Sequence, residues 1–489
     1  MSPTLLDDLE LTEFLGRFFL NPVQYITCDT SAIRERNEVC KALLENKSLM
    51  EALQRLYDAA QPLLETAPST EGEPIQVIHS MIGVRIFRDA VLSVTQAIAA
   101  CRQLPPAITA LSDGLNGLLT RRYPIGFDEA WNRYADGVEK TGSMSYHIRF
   151  SDDLAIEAIA LTGAHRCRYE KSTMISRAVH NEDPMRVESL LPLDPEDQTS
   201  IVELNRERHL NPTALQRFSR SMRQLFLAQT SASRNQLAAM ERGIAGDIRG
   251  LIEEIRFALG MVEYTVAILQ LSPNFCYAGI RNAEERSLVV SKMIHPLLAE
   301  QTDVVANDIS IQSNNECVLL GGINRGGKTT YLRTAGAMQI LFQMGLPLPA
   351  ASAEISPASG VYSAFSREEI TDLSQGKLGR ELIEMREAIA ALDDQCLFLG
   401  NEPISGTSPL ESYVLSRESL CMLKAKHARG IWVTHLFELF DDVEKLNDMD
   451  FGSQFACMHT RPVGAEHSFA ILPGIPKRYS GAREMLTWT

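Results

Sequence analysis

Residues 322–330 read GINRGGKTT, which fits the phosphate-binding pattern G-x-x-x-x-G-K-[ST]. The apolar run 317–320 before it predicts a short buried strand, and residues 331–344 after it predict a helix. Glycines let backbone N–H groups approach phosphate oxygens, and the helix directs its positive end at the same anion. A glycine-rich turn that happens to contain Lys-Thr is the alternative, but it does not require these flanking elements. The stretch therefore predicts binding of a nucleoside triphosphate.

The polar positions of the loop have distinct predicted roles. Lys328 supplies a positive charge for the β and γ phosphates, and the hydroxyl of Thr329 is placed to bind Mg²⁺. The predicted cofactors are therefore ATP and Mg²⁺. The residues predicted to bind the nucleotide are Gly322, Asn324, Gly326, Gly327, Lys328, Thr329 and Thr330.

The bulk properties argue against several classes of protein. The chain has 489 residues, which suggests two to four domains, and its 45% hydrophobic and 22% charged residues are typical of a soluble globular protein. It has no apolar run of the roughly 20 residues that a membrane helix needs, and its start lacks the pattern of a signal peptide. Its nine cysteines are scattered singly, so we expect neither a zinc site nor a disulfide framework, and we predict a cytoplasmic location.

The chain changes character near residue 309. Before this point helical spacing dominates, with apolar residues at three- and four-residue steps over 32–64 and a long tract with few helix breakers over 211–271. Because this tract exceeds a typical globular helix, we predict a helical hairpin or a lever-like arm. Residues 143–150 alternate loosely and predict a strand. After 309, strand-like and helical runs alternate, which predicts a mostly parallel sheet covered on both faces.

A second predicted strand ends in polar side chains. The apolar run 396–399 leads to Asn401 and Glu402. Glu402 is predicted to orient or deprotonate the attacking water, and Asn401 to lie in the Mg²⁺ shell. A carboxylate is expected at position 401, because an amide oxygen brings no negative charge to the metal. The alternative is that this stretch is only a polar exit from a strand.

A third predicted strand, 430–433, is followed by a titratable side chain, His435. At the carboxyl end of a parallel strand, His435 is predicted to hydrogen-bond the γ-phosphate and report hydrolysis. The alternative is a surface or core histidine with a structural hydrogen bond. Glu402 and His435 are thus the predicted catalytic residues, and Thr329 and Asn401 are the predicted metal-binding residues.

Taken together, these segments resemble the MutS family. Residues 322–333 resemble its phosphate-binding loop, which usually reads GPNMGGKST followed by Tyr-x-Arg. Residues 401–408 resemble its metal-binding strand with a Gly-Thr-Ser loop, and residues 433–439 resemble its Thr-His switch. Shorter similarities lie at residues 29–36, 295–298 and 305–309.

The resemblance covers roughly residues 25–485 and implies an architecture. It implies an α/β P-loop ATPase domain with a mostly parallel sheet over 291–489, preceded by a mainly α-helical core or lever domain with a long arm over 1–290. It also implies a homodimer in which the neighbouring subunit completes each ATP site. We expect the N-terminal mismatch-reading domain of long MutS proteins, an added nuclease domain and a long dimerisation tail to be absent.

The sequence departs from the family pattern at several positions. Asn401 replaces the usual Asp, which bears on the rate of hydrolysis rather than on nucleotide binding. Val304 or Val305 stands where an aromatic side chain usually packs against adenine. Residues 374–380 lie where the family has its partner-contacting signature, but they lack its Ser-Thr-Phe pattern. The expected activity is that of an ATPase, and Asn401 is the departure that would slow its turnover.

A basic stretch predicts contact with nucleic acid despite the formal net charge of −15. Residues 206–242 contain seven Arg and two Glu, a local net charge of +5. Arg217, Arg220 and Arg223 fall at three-residue steps near one helix face and are predicted to contact DNA phosphates. The alternative is a solvated face, or pairing with the acidic remainder of the chain. Nothing resembles base readout, so we expect recognition of DNA shape or backbone.

The leading hypothesis is an ATP-hydrolysing, DNA-binding protein that resembles mismatch-repair proteins but acts on DNA structure rather than on mismatches. The alternative is a slow-turnover, nucleotide-gated dimeric scaffold that binds a protein or ribonucleoprotein partner, and Asn401 favours it. No membrane association is expected in either case. A different class of P-loop ATPase is a third hypothesis, and the match across residues 295–439 opposes it.

Overall fold

The computed structural model describes residues 4–65, 74–123, 143–150, 156–165, 189–192, 201–203, 212–272, 274–299, 301, 303–312, 316–366, 376–461 and 469–477. For the residues of these ranges that fall within 74–81 and 143–239, the structure describes the backbone but not the side chains. The predicted DNA contacts Arg217, Arg220 and Arg223 are among those side chains. Two residues of the predicted partner-contacting stretch, 374 and 375, also lie outside the described residues.

The chain divides into two compact units. One unit comprises Met1–Met50, Cys101–Ile108 and Glu254–Thr489, and the other comprises Glu51–Ala100 and Thr109–Glu253. The division at residue 290 that the sequence predicts stays a prediction. Over the part of the chain that the structure describes, no helix is long and apolar enough to cross a membrane.

Helices dominate the described residues before position 272, as the apolar spacing predicts. The run 32–64 is not one helix, because it is interrupted at Asn46, which has φ −118° and ψ 75°. The Asn46 side chain donates to the carbonyl of Ala42 at 2.7 Å and so satisfies a carbonyl at the helix end. The helices are Leu5–Asp8, Thr12–Gly16, Thr30–Glu45, Lys47–Glu65, Pro74–Ala100, Pro106–Arg122 and Pro212–Leu271, with a 3₁₀ turn at Pro22–Tyr25.

The tract predicted as a hairpin or lever-like arm is one uninterrupted helix. Pro212–Leu271 spans 60 residues, a length of about 90 Å at 1.5 Å per residue. A small antiparallel sheet precedes it in the chain. It consists of β1 (Ser143–Phe150), β2 (Ile156–His165), β3 (Ser189–Pro192) and β4 (Ile201–Glu203), in which β2 pairs with each of the others. The strand predicted at 143–150 is confirmed.

A six-stranded sheet forms the centre of the C-terminal part. Its strands are β8 (Cys317–Gly321), β10 (Val361–Phe365), β11 (Leu397–Asn401), β12 (Arg429–Val433), β13 (Phe455–Thr460) and β14 (Ile471–Pro473). Their spatial order is β10-β11-β12-β8-β13-β14. The first five strands in this order run parallel to their neighbours and β14 is antiparallel to β13, so the predicted mostly parallel sheet is confirmed.

Apolar burial holds this sheet between helices. All residues of β8 and β12 are buried, as expected for parallel strands covered on both faces. Phe398 and Trp432 pack with ring centroids 5.9 Å apart in the core cluster, where Leu319 and Leu420 are fully buried. The surrounding helices are Lys328–Met344, Lys377–Ala391, Pro409–Ala425, Phe437–Asp441 and Val443–Asn447.

A smaller sheet is joined to the large one by a buried cation. The Arg429 side chain is fully buried at the start of β12 and donates to the carbonyls of Ser287 at 3.0 Å and Ser356 at 3.1 Å. Burial lowers the pKa of its guanidinium to about 10. The smaller sheet has the order β5-β9-β6-β7. Its strands are β5 (Gly279–Ile280), β6 (Leu288–Met293), β7 (Asn307–Ile311) and β9 (Ser352–Ile355), with 3₁₀ turns at Ala283–Glu285 and Pro296–Leu298.

Candidate active site

The glycine-rich loop connects the end of β8 to the helix Lys328–Met344. Gly322 has φ +129°, and an added Cβ there would collide with the Thr460 hydroxyl. A Cβ on Gly326 would lie 2.8 Å from the Thr460 methyl group. The Thr460 hydroxyl also accepts a hydrogen bond from the Ile323 amide at 3.1 Å. Thr460, at the end of the adjacent strand β13, therefore holds the loop close to the sheet, and only glycine fits at these two positions.

Lys328 is the first residue of the helix, and its side chain turns back into the loop. Its ammonium group donates to the carbonyls of Gly322 at 3.1 Å and Ile323 at 2.9 Å. Burial lowers the pKa of Lys328, and the nearby charge of Glu402 opposes this shift. The loop thus carries a buried cation in the position at which the sequence predicts a phosphate contact.

The two predicted metal-binding residues are in contact. The Thr329 hydroxyl donates to the amide oxygen of Asn401, at the end of β11, over 3.2 Å. Mg²⁺ keeps several waters and is commonly held by one or two protein groups together with substrate phosphates. A hydroxyl and an amide oxygen side by side fit that mode of binding, although both are neutral. Among the described residues, no group of three or more His, Cys, Asp or Glu could hold a metal ion.

Glu402 and His435 form a hydrogen-bonded pair at the ends of two adjacent strands. His435 Nε2 lies 2.8 Å from Glu402 Oε1, and the Glu402 amide donates to the Val433 carbonyl at 3.0 Å. Burial acts to raise the pKa of Glu402, but the hydrogen bond and charge of His435, together with Lys328, outweigh it and hold that pKa below its usual range. Glu402 has φ +50°, which is strained for a residue with a side chain. The sequence did not predict that the two catalytic candidates contact each other.

A cavity of about 450 Å³ lies above the loop. Eight of the predicted site residues line it, whereas Gly322 and Asn401 do not and act through their bonds to Lys328 and Thr329. Val304 and Val305 also line it, and one of them stands where the MutS family usually has an aromatic side chain. The predicted residues on its wall are Asn324, Gly326, Gly327, Lys328, Thr329, Thr330, Glu402 and His435.

Sequence reasoning missed the part of the wall contributed by Phe469. Phe469 lines the cavity, is 47% exposed and has φ +47°. The Asn307 side chain holds this segment, because it donates to the Phe469 carbonyl at 3.1 Å and accepts from the Ile471 amide at 2.8 Å. Asn307 lies within the resemblance at 305–309, but nothing in the local sequence connects it with a residue 162 positions away.

The fold and the site define an α/β domain that carries a phosphate-binding motif between a buried parallel strand and a helix. Residues 318–472 match the family model described as MutS domain V. Curated relatives that match a larger part of the chain carry MutS names as well, so the chain is similar to MutS-family proteins over this domain and beyond it.

Three of these relatives show the extent of the similarity. The DNA mismatch repair protein MutS of Thermosynechococcus vestitus is 23% identical over 501 residues, covering 94% of this chain and 55% of that protein. The Endonuclease MutS2 of Acetivibrio thermocellus is 28% identical over 201 residues, covering 40% of this chain and 25% of that protein. The Endonuclease MutS2 of Brevibacillus brevis is 26% identical over 253 residues, covering 49% and 31%. The chain thus spans about half or less of the length of these relatives.

Proposed function

We propose that this chain binds ATP at the cavity, hydrolyses it with Mg²⁺, and uses the nucleotide to control binding to DNA. The observation that carries the proposal is the convergence of Lys328, Thr329 and Glu402 on one cavity. Glu402 is held by His435 and Thr329 by Asn401. A cation, a metal-binding hydroxyl and a carboxylate base are the groups that phosphoryl transfer to water requires.

Each group has a distinct role in the proposed reaction. The loop amides and the Lys328 ammonium bind the β and γ phosphates, and the N-terminus of the helix Lys328–Met344 adds its positive potential. Mg²⁺, when bound, neutralises charge on the same phosphates. The Thr329 hydroxyl would hold it directly and Asn401 through a metal-bound water. Glu402, which is ionised because its pKa is lowered, orients the attacking water and accepts its proton.

His435 connects this base to the state of the nucleotide. Its Nε2 is already used in the bond to Glu402. A hydrogen bond from the same nitrogen to a γ-phosphate therefore requires the Glu402 bond to be broken or shared. The arrival and departure of the γ-phosphate would then change the orientation of the base, which agrees with the switch role expected for His435.

The assembly and partners are further parts of the proposal. We infer a homodimer in which a second copy completes each ATP site, a cytoplasmic protein, and an ATPase domain at 291–489 preceded by a helical lever domain at 1–290. This inference rests on the resemblance and on the MutS names of the relatives.

DNA binding is expected to depend strongly on salt. If Arg217, Arg220 and Arg223 contact phosphates, the logarithm of the binding constant falls linearly with the logarithm of salt concentration, and the slope becomes shallower by about 2 to 3 when all three are replaced by Gln. Fluorescence anisotropy on duplex, branched and single-stranded DNA, with and without ATP, measures this. Replacement of Arg85, Arg102 and Arg281, also by Gln, is the charge-matched control. A slope unchanged in the first variant contradicts DNA contact by the long helix.

The alternative function is a slow, nucleotide-gated scaffold for a protein or ribonucleoprotein partner, and the neutral Asn401 beside Thr329 favours it. Asn401→Asp separates the two. We expect the rate of phosphate release to change by less than about threefold, because the site has adapted to a neutral side chain at this position. The exposed Asn274→Asp serves as the control. An increase of tenfold or more in Asn401→Asp would instead indicate a site in which hydrolysis has been lowered, and would favour the scaffold.

A further inference from the structure

Arg325 occupies an unusual position at the tip of the phosphate-binding loop. Its side chain is exposed and lines the cavity next to Lys328 and Thr329. Its backbone has φ +60°, in the left-handed region that disfavours residues with a side chain. Among the described residues, seven that are not glycine have a positive φ, and Arg325, Glu402 and Phe469 of these seven line this one cavity. Strain concentrated in this way is typical of a functional site.

The basic side chains at the cavity lie in the phosphate-binding loop, whereas the group that contacts Thr329 is uncharged. Its wall contains two basic side chains, Arg325 and Lys328, and two acidic ones, Asp303 and Glu402. Glu402 is already hydrogen-bonded to His435, whose Nε2 lies 2.8 Å from its carboxylate. The group beside Thr329 is the neutral Asn401. Arg325 therefore adds one basic group beyond Lys328, and the partner of Thr329 is an amide rather than a carboxylate of the kind that holds Mg²⁺ firmly.

Arg325 and Asn401 both depart from the MutS-family sequence pattern that the surrounding residues resemble. Methionine usually stands where this loop has Arg325, and aspartate where β11 ends in Asn401. Relative to that pattern, one positive charge is gained and one negative charge is lost. Both changes act in the same direction, because each makes the site less dependent on a divalent cation to neutralise a triphosphate.

We propose that Arg325 is a phosphate-binding residue that takes over part of the charge neutralisation otherwise supplied by Mg²⁺. The inference rests on the proposed nucleotide site. The guanidinium can donate two parallel hydrogen bonds to phosphate oxygens, a geometry that an ammonium group does not match. ATP binding then tolerates removal of the metal, whereas hydrolysis still requires it. ATP without a bound metal ion is thus a ligand of this site in its own right.

The test is a calorimetric titration with ATP in the presence of Mg²⁺ and in the presence of EDTA. For the parent chain we expect the Kd in EDTA to stay within about tenfold of the Kd with Mg²⁺. Arg325→Met, which keeps an unbranched side chain and the backbone strain but removes the guanidinium, should raise the Kd in EDTA by about tenfold or more, the loss expected for a charge-assisted hydrogen bond. The Kd of Arg325→Lys in EDTA should lie between those of the parent chain and Arg325→Met. Lysine keeps the positive charge but cannot donate the two parallel hydrogen bonds of a guanidinium.

Two controls test whether a change in Kd comes from the contact between Arg325 and the phosphates. The exposed Arg102, which does not line the cavity, is replaced by Met and should leave every Kd unchanged. Adenosine, which has no phosphate, should bind equally to the parent chain and Arg325→Met. Strictly Mg²⁺-dependent ATP binding by the parent chain, or an Arg325→Met variant with unaltered affinity in EDTA, overturns the role of Arg325 while the nucleotide site stands. If the parent chain binds ATP under neither condition, the nucleotide site and this inference are both wrong.

Discussion

Replacement of Lys328 by alanine is expected to raise the Kd for ATP by at least about a hundredfold. The Lys328 ammonium lies inside the loop, within reach of the site for the β and γ phosphates, and is already separated from bulk water. A hydrogen bond to a charged group contributes roughly 1.5–3 kcal/mol, so losing two of them is worth at least two orders of magnitude in affinity. Isothermal titration calorimetry with Mg²⁺ and ATP measures the change directly.

The control has to separate loss of charge from damage to the loop. Lys328 also anchors the carbonyls of Gly322 and Ile323, so its removal can loosen the loop without any nucleotide present. Lys328→Met keeps the volume of the aliphatic chain, so it separates loss of the ammonium group from loss of packing, and it should lose ATP affinity as the alanine variant does. The exposed Lys426→Ala serves as the matched surface variant. If either Lys328 variant bound ATP as tightly as the parent chain, the assignment of the phosphate site would be wrong.

The local part of the site was predictable because its determinants are contiguous. The run 317–320 was predicted as a buried strand and is β8, and the helix predicted from 331 begins at Lys328. The three-residue difference has a physical cause. Gly327, with φ +86°, is the N-cap, and the helix starts directly after this left-handed residue. The periodicity of apolar residues does not reveal where the backbone adopts a left-handed conformation. A glycine such as Gly327 marks a position at which it can do so.

Contacts between distant segments were not predictable in the same way. Thr460 approaches the glycines of the loop because β13 pairs with β8, and nothing around Thr460 in the sequence indicates that neighbour. Phe469, which precedes β14 of the large sheet, is held at the cavity by a hydrogen bond from the Asn307 side chain, in β7 of the smaller sheet. The pair formed by Glu402 and His435 follows from the parallel pairing of β11 with β12, which brings two strand ends to one edge. Sequence reasoning predicted each strand end separately but not the distance between them.

Glu402→Gln is expected to lower the rate of ATP hydrolysis by about a hundredfold or more while ATP binding is retained. A positioned base contributes roughly 10²- to 10⁴-fold to a reaction of this kind, and an amide of the same shape cannot accept the proton. Because the amide also removes a negative charge near the phosphates, ATP affinity should stay equal or increase. Single-turnover phosphate release and calorimetric titration measure the two quantities separately. The exposed Glu438→Gln is the matched control on the neighbouring segment.

The pH dependence of hydrolysis tests whether His435 acts through Glu402. The bond and charge of His435 lower the pKa of Glu402, so the carboxylate of the parent chain stays ionised to a pH below the usual range for Glu. Removing that partner in His435→Ala takes away a lowering influence, so the pKa of Glu402 must rise and the acid limb of the rate profile must move to higher pH. A purely structural histidine would lower the rate at every pH without moving this limb. If the limb does not move in His435→Ala, His435 does not act through Glu402. If Glu402→Gln hydrolyses ATP at the parent rate, Glu402 is not the base, and the water must be activated by another group.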